Sequence, residues 1–113
     1  MASAISIMKK GTKTALAQND TALRSKTIQR AAMLLKQVSD PTRIQVVTLL
    51  SDGERHVGGL CDEFKMSQPG LSHHLAMMRH AGIINRRRQG KNNLYSLTDT
   101  GYRLSEIVKG VVH

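Results

Sequence analysis

Aromatic residues and cysteine are scarce in this chain, which contains one Phe, two Tyr, no Trp and one Cys. The single cysteine, Cys61, excludes an intramolecular disulfide framework and any zinc site built only from cysteines of one chain. The core therefore has to be packed from Leu, Ile, Val, Met and Ala. Because a small helical domain packed in this way leaves surplus apolar surface on its helices, we expect the chain to form a dimer.

Long apolar runs are also missing, and the longest is far shorter than the ~18 residues that would suggest a membrane span. The N-terminal lysines follow a short apolar stretch, which is the reverse of a secretory signal. We therefore expect a cytoplasmic protein with no membrane partner. The length allows one compact domain, which we place at residues 20–113, after a mobile, weakly basic tail at residues 1–19.

Acidic residues are absent from one long segment, since none of the eight acids lies between Phe64 and Thr98. The formal net charge of the chain is +9, and this segment holds Lys65, Arg79, Arg86, Arg87, Arg88 and Lys91. A segment of one charge sign repels itself unless a polyanion or counterions neutralise it. From charge alone, a nucleic-acid partner and a generically basic, solvated face explain the segment equally well.

Capping residues and apolar spacing predict three helices in the first half of the domain. The first runs from Thr21 to about Val38. Asp40 and Pro41 are suited to the N-cap and first turn of the second, because Asp accepts bonds from unpaired N–H groups and Pro has none to lose. A third, short helix is predicted at about residues 57–64.

The second half predicts a helix, a hairpin and a last helix. Ser67 is a suitable N-cap for the fourth helix, and Gly82 ends it. Two β-prone runs on either side of Gly90 predict a hairpin, and Thr98 or Asp99 caps the last helix. The order α-α-α-α-β-β-α, mainly α with a small β-hairpin, is that of a winged helix-turn-helix, with Ser67 to Gly82 as the recognition helix and its turn.

The fourth helix has two different sides. Leu71, Leu75 and Met78 form its inward stripe. The outward side contains no acid, and consists of Gln68, Pro69, Ser72, His73, Ala76 and Arg79. Gln and His can bond to base edges in the major groove, whereas bulky or acidic groups would block the approach. The N-terminus at Ser67 offers N–H groups to a phosphate.

A basic tip, here called the wing, spans Arg86 to Lys91. Alternation along a strand places Arg86 and Arg88 on one face and Arg87 on the other. Such a tip contacts phosphates, and sometimes places an arginine in the minor groove. The alternative is a charged edge that prevents sheet pairing.

The remaining reactive side chains, histidines and one cysteine, form no pattern that is typical of an enzyme. His74 lies on the inward side, which favours a partly buried, hydrogen-bonded histidine over a ligand. Cys61 is on the apolar side of a short helix, where an inert cysteine is the main interpretation and thiol sensing the alternative. No metal-ligand spacing, catalytic triad or phosphate loop is present. We therefore predict a protein that is not an enzyme, with no metal and no cofactor.

Four stretches in a fixed order resemble the ArsR/SmtB family of winged-helix repressors: LKQVSDPTR at residues 35–43, SQPGLSHHL at 67–75, AGII at 81–84 and RQGK at 88–91, followed by Tyr95 and Leu97. The resemblance implies a homodimer joined through the first and last helices, which binds an inverted repeat and represses transcription. By the family pattern, the base contacts are Gln68, Pro69, Ser72 and His73. The backbone contacts are Thr42, Arg43, Ser67, Arg88 and Lys91, to which the outward face and the wing add Arg79 and Arg86.

The chain departs from the metal sensors of that family. Where many carry a cysteine pair, this chain has His56, Val57 and Gly58. Others use an Asp and His set on the last helix; this chain has Asp99 and His113 there, but Gly101 and Val112 where further ligands are expected. The leading hypothesis is therefore a sequence-specific, dimeric repressor of unknown effector. Two alternatives stay open: a winged helix that docks an acidic protein partner, and a metal- or thiol-responsive version of the repressor.

Overall fold

The computed structural model describes the backbone of residues 13–112 and the side chains of residues 20–112. The chain divides into two compact units, Met1–Ala32 and Met33–His113. The described part of the first unit is helical, and an ion pair of 2.6 Å joins Asp20 to Arg24 one helical turn later. None of the helices in the described part of the chain is long and apolar enough to cross a membrane.

Five helices and three strands form the described structure, and the predicted fold class is confirmed. The elements in chain order are α1 (Lys13–Gln37), α2 (Pro41–Leu50), β1 (Arg55–His56), α3 (Val57–Phe64), α4 (Gln68–His80), β2 (Ile84–Gln89), β3 (Asn92–Leu97) and α5 (Asp99–Val112). The sheet is antiparallel with the order β1-β3-β2. The two-residue strand β1 was not expected, because two residues are too few to show strand alternation.

The first helix is longer than its apolar pattern predicts. It begins at Lys13 instead of Thr21, inside the segment assigned to the N-terminal tail. Residues 1–12 of that tail lie outside the described residues. The division between tail and domain at residue 20 therefore stays a prediction.

The predicted helix caps are confirmed. The Asp40 side chain accepts a hydrogen bond from the backbone N of Arg43 at 3.0 Å. The Ser67 hydroxyl accepts one from the backbone N of Gly70 at 3.4 Å. Each bond satisfies a donor that the first turn of a helix leaves without a helical partner. The two caps thereby set where α2 and α4 begin.

The core of the second unit is aliphatic, as the shortage of aromatic residues requires. Its fully buried side chains come from α2, α3, α4, β2 and the turn before β2. They are Leu50, Leu60, Leu71, Leu75, Met78, Ile83, Ile84, Val46 and Val47. Tyr95, at 6% exposure, is the one aromatic ring buried among the described residues. Burying each large aliphatic side chain stabilises the fold by about 1.5–3 kcal/mol. The inward stripe of α4 belongs to this core, so the helix is held by its apolar side.

The start of α5 is tied to the turn after α4. The Thr98 hydroxyl donates to the carbonyl oxygen of Gly82 at 2.6 Å and accepts from the backbone N of Gly101 at 3.0 Å. The backbone N of Thr98 donates to the carbonyl oxygen of Ile83 at 3.0 Å. Gly82 has a φ of 80°, which a side chain would strain. This junction fixes the direction in which the chain leaves α4 for the hairpin.

Candidate nucleic-acid interface

A tight turn joins α3 to α4. Lys65 ends α3 in the left-handed conformation with a φ of 51°. Ser67 begins α4 two residues later. Such a short connection between two helices is the central feature of a helix-turn-helix. In these motifs the second helix enters the DNA groove, which makes α4 the candidate recognition helix.

The start of α4 presents its candidate base contacts to solvent. Gln68, Pro69 and His73 are exposed, and Ser72 is half-buried. Leu71, Leu75 and Met78 on the opposite side are completely buried. The structure therefore brings the four predicted base-reading residues together on the outer side of one helix. Arg79, further along α4, is half-buried.

The hairpin prediction is confirmed by the strand register. Arg86 lies opposite Tyr95 in β3, and Arg88 lies opposite Asn93. Every residue of the wing is exposed to solvent. Arg88 donates from Nε to the carbonyl oxygen of Gly90 at 3.1 Å, which turns its side chain back along the tip. Arg86 and Arg88 share one face of β2, while Arg87 occupies the other.

Arg87 has a protein partner that sequence reasoning did not find. Its Nε and Nη2 donate to the two carboxylate oxygens of Glu54 at 2.7 and 2.8 Å. This hydrogen-bonded pair holds the pKa of Glu54 below its ordinary value and raises the pKa of Arg87. One of the three consecutive arginines is thus paired with an acid of the protein itself. Glu54 lies 33 residues from Arg87, so no local pattern could have revealed the pair.

The start of α2 contains two residues predicted to contact the DNA backbone, Thr42 and Arg43. Both are half-buried. The guanidinium of Arg43 bonds to two protein side chains: Nε donates to Nδ1 of His74 at 3.2 Å, and Nη1 donates to Oε1 of Gln37 at 2.8 Å. The prediction that His74 is a partly buried, hydrogen-bonded histidine is confirmed. Its ring also meets that of His73 edge to face, with centroids 6.2 Å apart.

The side chains considered for metal or thiol chemistry are dispersed. Within residues 20–112, no group of three His, Cys, Asp or Glu side chains could hold a metal ion. Cys61 is half-buried and packs against the hydrophobic core. Its surroundings are those expected of a small apolar side chain. His113 lies outside the described residues.

A helix-turn-helix with an acid-free outer face, followed by a basic hairpin, defines a class of DNA-binding transcriptional regulators, the winged helix-turn-helix proteins. A family model described as "Bacterial regulatory protein, arsR family" matches residues 40–86. An HTH-type transcriptional regulator of Methanocaldococcus jannaschii is 39% identical over 82 residues, which are 72% of this chain and 90% of that protein. The chain belongs to the ArsR family.

Other relatives include both a transcriptional repressor and a transcriptional activator. The transcriptional repressor SdpR of Bacillus subtilis is 37% identical over 59% of this chain and 74% of its own length. The structure of HlyU from Vibrio cholerae, a transcriptional activator, matches with a TM-score of 0.72 and 31% identity, covering 76% of this chain and 95% of that one.

The structure of the repressor BigR from Xylella fastidiosa matches with a TM-score of 0.68 and 33% identity, over 83% of this chain and 94% of that one. These relatives are transcriptional regulators and not enzymes, which confirms the prediction of a non-enzymatic protein.

Proposed function

We propose that this protein acts as a homodimer on an inverted-repeat operator in double-stranded DNA, and represses transcription by obstructing it. One observation carries the proposal: the outer face of α4 has no acid, and the wing that follows it exposes Arg86 and Arg88 on one strand face. A helix face of this kind suits the major groove, and a basic tip suits the adjacent phosphates.

We assign DNA binding to two sets of residues, one that contacts the bases and one that contacts the DNA backbone. Base edges are read from the first turns of α4, by Gln68, Pro69, Ser72 and His73. The DNA backbone is held by Thr42, Ser67, Arg79, Arg86, Arg88 and Lys91. Arg43 differs from the second set, because its guanidinium already donates to two protein side chains.

Exposed apolar side chains support the homodimer. On α5 they are Tyr102, Ile107, Val111 and Val112, with exposures of 45, 49, 79 and 72%. On α1 they are Leu23, Ile28, Met33 and Leu35. Apolar surface of this extent is normally covered by another chain, and a symmetric dimer presents two recognition helices to two half-sites. We therefore propose that the dimer interface lies on α1 and α5. We also propose that the protein is cytoplasmic.

Repression is favoured over activation by the names of the relatives. SdpR and BigR are repressors, whereas HlyU is described as an activator. A reporter gene placed behind the bound operator distinguishes repression from activation. Its expression rises on deletion of this protein if the protein represses transcription, and falls if the protein activates it.

The salt dependence of DNA binding tests the proposed contacts to the DNA backbone. The probe is an inverted-repeat duplex selected by the wild-type protein from a randomised library. Log affinity falls with log salt, and each lost phosphate contact makes this slope shallower by about one unit. We expect this change for Arg88→Gln and for Lys91→Gln. Arg55→Gln is the control, since it removes a cation on β1 that belongs neither to the proposed DNA contacts nor to the proposed dimer interface.

Base reading is tested on the same duplex. Gln68→Ala and His73→Ala should each cost roughly 1–3 kcal/mol on the selected duplex and little on a scrambled one. Binding that is insensitive to salt would contradict the proposal. So would a wild-type protein that selects no duplex, and that result would favour an acidic protein partner instead.

A further inference from the structure

The side chain of Arg43 links three helices. Its Nη1 donates to Oε1 of Gln37, the last residue of α1, at 2.8 Å. Its Nε donates to Nδ1 of His74 in α4 at 3.2 Å. Gln37, Arg43 and His74 are all half-buried. Hydrogen bonds of a guanidinium are stronger where water is partly excluded, so this bridge is better placed than an exposed pair to fix geometry.

The main chain of Arg43 is held as well. Its backbone N donates to Oδ2 of Asp40, the N-cap of α2, at 3.0 Å. Both ends of the residue are thus anchored to protein atoms. Two of the five N–H donors of its guanidinium are thereby used inside the protein.

We propose that Arg43 is a positioning residue for α4, which it holds through Gln37 and His74, and that it makes no contact of its own to the DNA backbone. The inference rests on the proposed function, in which α4 reads the bases. His74 is adjacent to His73, and their rings meet at 6.2 Å. Holding the ring of His74 limits rotation of α4 about its axis, and so keeps the outward side chains in one orientation.

Arg43→Lys separates positioning from phosphate binding. Lysine keeps the positive charge but lacks the planar set of donors that reaches two acceptors in fixed directions. A phosphate contact made through one hydrogen bond largely tolerates this change because the charge is kept, whereas the bridge to two acceptors does not. On the selected inverted-repeat duplex we expect affinity to fall roughly tenfold, as for a lost charge-assisted hydrogen bond. Affinity for a scrambled duplex should stay unchanged.

The salt slope gives an independent measurement. Arg43→Met removes the charge and both donors while keeping an aliphatic stem. Since the proposed role involves no phosphate, the slope of log affinity against log salt should equal that of the wild type. Arg88→Gln is the matched control, and it should make the slope shallower by about one unit.

A double-mutant cycle tests whether Arg43 acts through His74. His74→Phe removes the acceptor, and it should cause the same loss as Arg43→Met. The double variant should lose no more than either single variant, because both remove one bridge. His74→Asn places an amide oxygen near the position of Nδ1, and it should restore most of the affinity. A general loss of stability would not be reversed in this way, and thermal unfolding of each variant checks for it.

Three results would each overturn the inference: wild-type affinity in Arg43→Lys, a shallower salt slope in Arg43→Met, or additive losses in the double variant. If the Arg43 variants do not fold, equal affinities of His74→Phe and His74→Asn overturn it, and a loss confined to His74→Phe supports it. A wild-type protein that selects no duplex would instead remove the proposed function, and the inference with it.

Discussion

Gly101, in the first turn of α5, has no room for a side chain. A Cβ atom at this position would overlap the carbonyl oxygen of Ile83, and would lie 2.9 Å from Cδ2 and 3.2 Å from Cβ of Leu97. The Ile83 oxygen belongs to the backbone and already accepts from the N of Thr98. It cannot move aside by a change of rotamer. Leu97 is 5% exposed and belongs to the core, so it cannot retreat into solvent.

Gly101→Ala should therefore destabilise the protein. Over-packing of a core costs about 1–3 kcal/mol, and an overlap with backbone places this site at the upper end. Alanine recovers about 1 kcal/mol through its higher helix propensity. The net loss in free energy of unfolding is then about 2 kcal/mol. For a domain of this size, that lowers Tm by roughly 8–16 °C.

Thermal unfolding followed by circular dichroism measures this change, with both proteins at one concentration because the Tm of the proposed dimer would depend on it. Gly59→Ala in α3 is the matched control: nothing lies within 4 Å of its added Cβ, and the site is exposed. We expect this control to keep or raise Tm. A Tm for Gly101→Ala equal to or above that of the wild type would refute the close approach of α5 to Ile83.

Two further predictions concern the Glu54–Arg87 pair and the cap of α2. Because folding lowers the pKa of Glu54, the pair stabilises the fold above the ordinary carboxyl pKa, and this contribution is lost as the pH falls through the lowered value. An NMR titration of the Glu54 carboxyl should show its pKa return toward the ordinary value in Arg87→Gln but not in Arg86→Gln; equal values in all three proteins would exclude the pair. Asp40→Ala should cost about 1 kcal/mol in chemical denaturation, while Asp40→Asn keeps most of the cap. No difference between these two variants would contradict the capping bond.

The features that could be predicted from the sequence depend on residues close together in the chain. The caps at Asp40 and Ser67 each involve a bond to a residue three positions away. The inward stripe of α4 follows from helical spacing, and the bounds of α3 agree with the predicted residues 57–64. Short-range bonds and periodic burial are properties of a segment, so the segment's own residues specify them.

The features decided by the tertiary structure join residues that are distant in the chain. β1 forms a strand only because β3 lies beside it. Arg87 meets Glu54 across 33 residues, and Arg43 meets His74 across 31. A basic residue carries no local sign of whether a distant acceptor will satisfy it. The sequence alone therefore determined the order of the helices, the hairpin and the outward face of α4. The packing decided which arginines pair with a distant acceptor, because that depends on where each acceptor lies after folding.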